Sequence, residues 1–210
     1  RRALKINPDY ADAFNNMGLA LKEKGNLDAA IASYNKALKL NADFTEAHSN
    51  MGLALKEKGN LDAAIDSYRR ALKINPDYAD ALNNMGIALM EKGDIETSIL
   101  SYKKAIKINP ALTEAYYNMG NALTKRGDLD AALDSYRRAL KINPEYVDAL
   151  NNMGIALAKR GDLDAALDSY RRALKINPDY ADALNNIGLV LMKKGDLDAA
   201  LDSYRRVLKI

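Results

Sequence analysis

The chain has 210 residues, with 31 Lys or Arg against 28 Asp or Glu, a net charge of +3, one histidine and no cysteine. The near balance of charge gives weak grounds for a nucleic-acid or acidic-membrane partner, and the lack of cysteine excludes disulfides, thiol nucleophiles and thiolate metal sites. No apolar run approaches the roughly 20 residues of a membrane span, and nothing resembles a signal peptide.

Residues 1–7 match Arg137 to Asn143, the tail of a second helix in a later unit. From Pro8 the chain repeats every thirty-four residues. The units expected are 8–41, 42–75, 76–109, 110–143, 144–177 and 178–210, the last one residue short. The segment Pro76 to Gly86 returns at Pro144 and Pro178, with weaker copies from Pro8, Pro110 and Ala42, where the proline is lost. A period of this kind means stacked identical units without one central core.

Within the unit 76–109, Ala81, Leu82, Met85, Gly86, Ala88 and Leu89 recur at spacings of three and four, which predicts a first helix, helix A. Asp77 is its expected N-cap, with Asp80 three residues on. Gly93 is its expected left-handed stop. Asp94 then caps helix B, whose apolar face is Ile95, Ile99, Tyr102, Ala105 and Ile106. Mid-helix Gly86 costs about 1 kcal/mol against alanine, and the same glycine stands in every unit. The expected reason is close approach of helix B, with its tyrosine (Tyr34, Tyr68, Tyr102, Tyr136, Tyr170 or Tyr204) covering the gap. On the outer side, Asp66–Arg70, Asp134–Arg138, Asp168–Arg172 and Asp202–Arg206 are expected i,i+4 pairs.

Met51-Gly52, Leu55, Ala64-x3-Tyr68 and Pro76 resemble the tetratricopeptide repeat pattern over nearly the whole chain. That resemblance implies an all-α, right-handed superhelical solenoid of antiparallel helix hairpins. Helix A would line the concave surface and helix B the convex one. Asn16, Asn50, Asn84, Asn118, Asn152 and Asn186 look more narrowly like the asparagine ladder in the repeats of O-linked N-acetylglucosamine transferase, which holds bound polypeptide backbone. The second asparagine of that family is matched only by Asn121, and no glycosyltransferase domain is present in this chain.

An amide both donates and accepts, so the ladder suits an extended peptide read through its backbone. The competing expectation is that each asparagine only bonds to a neighbouring helix. A second polar column, Asn15, Ser49, Asn83, Tyr117, Asn151 and Asn185, adds Asn83, Tyr117 and Asn151 to the candidate site. The acidic row Asp12, Glu46, Asp80, Glu114, Asp148 and Asp182 would favour a basic or neutral ligand, or simply stabilise helix N-termini. The carboxylate clamp of other tetratricopeptide proteins is not expected, because its lysine slot holds asparagine or serine. His48 is expected to be a packed structural residue, with no catalytic partner recurring near it. The paired bases of helix B, Arg69 and Arg70 for example, interleave with aspartates, which argues against nucleic acid.

The expected function is a non-enzymatic protein-interaction scaffold binding a protein or peptide in the concave groove, with no cofactor or metal. One alternative is a structural array built by end-to-end stacking of uncapped ends. Another is the targeting arm of a larger enzyme. A cytoplasmic location is the default expectation.

Overall fold

The computed structural model describes residues 8–210, and the helix tail expected at 1–7 lies outside them. Among the described residues there are twelve α-helices and no strand. They are α1 (Pro8–Glu23), α2 (Leu27–Leu40), α3 (Thr45–Glu57), α4 (Leu61–Ile74), α5 (Ala79–Lys92), α6 (Ile95–Ile108), α7 (Thr113–Arg126), α8 (Leu129–Ile142), α9 (Val147–Arg160), α10 (Leu163–Ile176), α11 (Ala181–Lys194) and α12 (Leu197–Val207). Odd-numbered helices are the A helices and even-numbered ones the B helices. The chain forms two compact units, one running to Pro110 and the other from Ala111 to Ile210.

In the first unit α1 packs on α2, α3 on α4 and α5 on α6; α2 then packs on α3, and α4 on α5. The second unit repeats this order from α7 to α12. Each unit is thus an all-α solenoid of helical hairpins. The core is distributed accordingly. Ala64, Ile65, Tyr68 and Ala71 of α4 cluster with Ala81, Ala88 and Leu89 of α5. Ala30 and Tyr34 of α2 do the same with Met51 and Ala54 of α3.

Glycine and tyrosine set the closeness of each hairpin, as the sequence predicts. A Cβ placed on Gly86 would lie 2.5 Å from Cε1 of Tyr102, a ring that is itself 1% exposed. At Gly120 the same atom would lie 2.6 Å from Tyr136. The hairpin turn also follows expectation: Gly93 takes φ 93°, and its N–H reaches the carbonyls of Leu89 and Met90. Asp94 then caps α6 by accepting from the Thr97 N–H at 3.1 Å.

Two local expectations are corrected. Asp77 is not the N-cap of α5; that position is Tyr78, and no side chain caps it. Asn75 has taken over the turn, its Oδ1 accepting from the Asp77 N–H at 3.1 Å while its carbonyl accepts from the Tyr78 N–H at 3.3 Å. This Asx turn ends helix B and delays helix A by a residue. On the outer face, Asp66 pairs with Arg69 at 3.1 Å, Asp134 with Arg137 at 2.9 Å and Asp202 with Arg205 at 2.8 Å. The contact falls on the first arginine of each pair, at i,i+3, a spacing equally adjacent on a helix. These pairs are exposed and contribute less than about 1 kcal/mol each.

Between hairpins, Lys58 pairs with Asp28, Lys92 with Asp62, Arg160 with Asp130 and Lys194 with Asp164. Each joins the end of helix A to the first turn of the preceding helix B.

Gly86→Ala is expected to destabilise the chain, since overpacking against an immobile ring costs about 1–3 kcal/mol and outweighs the roughly 1 kcal/mol gained in helix propensity. A urea midpoint at or above that of the wild type would contradict the packing. Alkaline pH gives a second check. Burial, helped by the negative charges of Glu57 and Glu23, pushes the Tyr34 hydroxyl up to about 12, and burial alone does so for Tyr170. An unfolded chain releases these protons near pH 10, so their contribution is complete below about pH 10 and is lost as pH rises towards about 12. Circular-dichroism melting temperatures should hold to about pH 9 and then fall, and Tyr34→Phe with Tyr170→Phe should flatten the fall.

Candidate functional site

Four side chains share one face of every A helix, at successive spacings of four, three and four. In α9 they are Asp148, Asn152, Ile155 and Lys159; in α7, Glu114, Asn118, Asn121 and Lys125; in α11, Asp182, Asn186, Leu189 and Lys193. The first unit has the same line with glutamate last: Asp12, Asn16, Leu19 and Glu23 in α1; Glu46, Asn50, Leu53 and Glu57 in α3; Asp80, Asn84, Ile87 and Glu91 in α5.

The asparagines are joined from hairpin to hairpin. Asn50 donates to Oδ1 of Asn15 at 3.0 Å, and Asn186 donates to Oδ1 of Asn151 at 3.0 Å. Asn15, Ser49, Asn83 and Asn151 are buried, while Asn50, Asn84, Asn118, Asn152 and Asn186 are half-buried and Asn16 and Asn185 are exposed. Asn83 and Asn118 are engaged as well. Asn15 and Asn151 of the second column are therefore the acceptors on which Asn50 and Asn186 of the next hairpin rest. A primary amide has two N–H donors and two acceptor lone pairs. The bond from Asn50 to Asn15 leaves one N–H and the carbonyl oxygen of Asn50 with capacity to spare.

Asn152 is bound differently. It donates to Oη of Tyr117 at 3.1 Å and to Oδ1 of Asn121 at 2.9 Å, and accepts from Asn151 at 3.2 Å. Asn121 Oδ1 also accepts from the Tyr136 hydroxyl at 2.8 Å, and Thr124 Oγ1 lies 3.2 Å from that hydroxyl. The rings of Tyr117 and Tyr146 stand 4.9 Å apart. The substitutions peculiar to α7 thus form one polar network, in which the roles of Thr124 and Tyr136 were not apparent from sequence. Tyr136 covers Gly120, and its hydroxyl reaches Asn121 from there.

The ends of the line carry charge. Asp148 accepts from the Tyr180 hydroxyl at 2.6 Å, so this member of the acidic row is partnered by the next hairpin. In the first unit the glutamates face lysines: Lys22 lies 3.1 Å from Glu23 and 3.5 Å from Glu57, and Lys56 lies 3.5 Å from Glu91. The hydrogen bond that Lys22 donates to Glu23, with Glu57 nearby, raises the Lys22 pKa above its ordinary value. In the second unit the slot before Lys125, Lys159 and Lys193 holds Thr124, Ala158 and Met192. Sequence reasoning passed over this switch from glutamate to lysine; comparing one slot across all six units reveals it.

Two adjoining depressions line this face of the second unit. One, of about 250 Å³, is bounded by Asn121, Thr124, Lys125, Tyr136, Asn152 and Lys159. The other, of about 360 Å³, includes Ile155, Lys159, Tyr170, Asn186, Leu189 and Lys193. Ile155 and Lys159 border both. A larger hollow of about 660 Å³ lies away from the ladder, between α2 and α4, where Leu38, His48, Met51, Arg70 and Lys73 meet. His48 is buried there, with Nε2 3.0 Å from the Ala42 carbonyl, in the packed role expected of it. Among the described residues no group of three or more His, Cys, Asp or Glu side chains could hold a metal ion. No helix among them is long and apolar enough to cross a membrane.

A family model described as TPR repeat matches residues 18–59, 52–93, 88–125, 120–161 and 154–195. Two further tetratricopeptide repeat models match residues 1–32 and 181–210. No curated protein matches the chain significantly. Among solved structures, MamA is 31% identical with a TM-score of 0.71, over 76% of this chain and 93% of that one. YrrB, described as a TPR protein with an unusual peptide-binding site, is 27% identical with a TM-score of 0.70, over 87% and 94%. PilF of Pseudomonas aeruginosa shares the fold, at 21% identity and a TM-score of 0.81 over 93% and 89%. The thirty-four-residue period, the hairpin geometry and these matches agree: the chain belongs to the tetratricopeptide repeat family.

Proposed function

We propose that this chain, a protein-interaction scaffold of tetratricopeptide repeats, holds an extended peptide or partner segment along the face of its A helices. The observation that carries the reading is the half-buried asparagine ladder. Asn50 and Asn186 are oriented by the preceding hairpin, yet Asn50 retains unused donor and acceptor capacity. An oriented amide loses little freedom on binding, so the contact to a peptide backbone is preorganised. The apolar slots between the amides, Ile155 and Leu189 among them, supply surface for ligand side chains. That the similar YrrB is described by a peptide-binding site supports the same reading.

Wild-type chain would first select clones from a displayed random peptide library. Asn50→Ala with Asn84→Ala and Asn186→Ala is expected to weaken the selected peptides at least tenfold, as the loss of several hydrogen bonds of about 0.5–1.5 kcal/mol each implies. Helicity should persist, with a modest fall in melting temperature from the lost bonds to Asn15 and Asn151. Unchanged affinity in fluorescence titrations would sink the groove reading.

A further inference from the structure

We propose that the lysine edge formed by Lys125, Lys159 and Lys193 selects an acidic extended peptide, with carboxylates about three residues apart. This rests on the groove reading and adds to it the chemical class of the ligand.

Three observations carry it. Within the second unit none of the three lysines pairs with a carboxylate, although other cations of the same helices do: Arg160 with Asp130 and Asp162, and Lys194 with Asp164. All three are exposed, and they border the depressions that the asparagines line. Lys159 and Lys193 border an apolar stretch of the groove, Ile155, Ala158 and Leu189, while Lys125 stands beside Asn121, Thr124 and Tyr136. The corresponding edge of the first unit carries Glu23, Glu57 and Glu91, and there Lys22 and Lys56 provide compensating charge. Nothing compensates the lysine edge in this way.

The acidic row does not cancel the lysines. Asp148 and Lys159 stand eleven residues apart on α9, about 16 Å along a helix. That is beyond the roughly 8–10 Å over which charges act in physiological salt. The groove thus has one anionic and one cationic border: the acids stand four residues before the ladder amides, and the lysines, seven residues after them, line the same depressions as Asn152 and Asn186. Spacing follows from the stack. α7 touches α9, and α9 touches α11. Packed helices lie about 8–10 Å apart, and a polyproline II chain returns to the same side every three residues, over about 9 Å. A carboxylate at every third residue can therefore meet successive lysines while the backbone stays on the amides.

The test uses the full chain and three displayed libraries, random except for Glu, Gln or Lys fixed at every third position. The glutamate library is expected to be preferred, by about two- to fivefold per lysine as exposed ion pairs allow. The preference should shrink as salt rises. The triple variant Lys125→Glu, Lys159→Glu, Lys193→Glu should reverse it in favour of the lysine library. Equal binding of all three libraries, with all weakened by the asparagine-to-alanine changes, would overturn the acidic preference and leave the groove reading standing. Glutamate preference that the lysine variant reverses and the asparagine variant leaves intact would place the ligand on the edge alone and overturn the groove reading. Glutamate preference untouched by the lysine variant would overturn the assignment to these residues, and absence of binding from every library would overturn both.

Discussion

The contact on which the rest depends is a tyrosine ring lying flat on a glycine. It lets two helices approach more closely than any side chain would permit, and it does so once per hairpin. Glycine in mid-helix is unfavourable by about 1 kcal/mol, and the buried aromatic surface of Tyr68, Tyr102 or Tyr136 more than offsets this. With one face of helix A fixed against helix B and the next face against the preceding helix B, only one strip remains open. That strip carries the acid, the asparagine, the apolar slot and the terminal charge.

The ladder has a structural role, and the proposed binding role rests on what that role leaves over. Asn50 and Asn186 stitch their hairpins to the one before, which would be the whole account if their bonding capacity were exhausted. It is not, because a primary amide has more donors and acceptors than one such bond consumes. Asn152 stands nearer the structural limit, with both donors directed at Tyr117 and Asn121. The two units therefore differ, the second being more richly hydrogen-bonded around α7 and α9.

The period and chain composition were enough to read the hairpin, its glycine stop and the tyrosine over Gly86, because each depends on neighbours within one unit. The errors arose where two local solutions compete. Asp77 has the chemistry of a cap, but Asn75 reaches the turn first. Asp66 can meet Arg69 or Arg70, and side-chain reach decides it. The bond from Asn50 to Asn15 was anticipated only as the alternative to binding; both columns were visible in sequence, but their registration depends on how hairpins stack. The lysine edge was legible all along, in the replacement of Glu23, Glu57 and Glu91 by Lys125, Lys159 and Lys193.

The bonds between hairpins have fixed offsets: thirty-five residues from Asn50 back to Asn15 and again from Asn186 to Asn151, thirty from Lys58 to Asp28 and again from Arg160 to Asp130. Partners are thus defined by position within the unit, not by absolute place in the chain. Within either solenoid, removing or duplicating one thirty-four-residue segment returns each donor to an equivalent acceptor. Length can drift in such a gene by unequal recombination without a compensating mutation, and the groove lengthens or shortens in whole increments. A globular core, whose contacts tie together distant and dissimilar segments, has no comparable freedom.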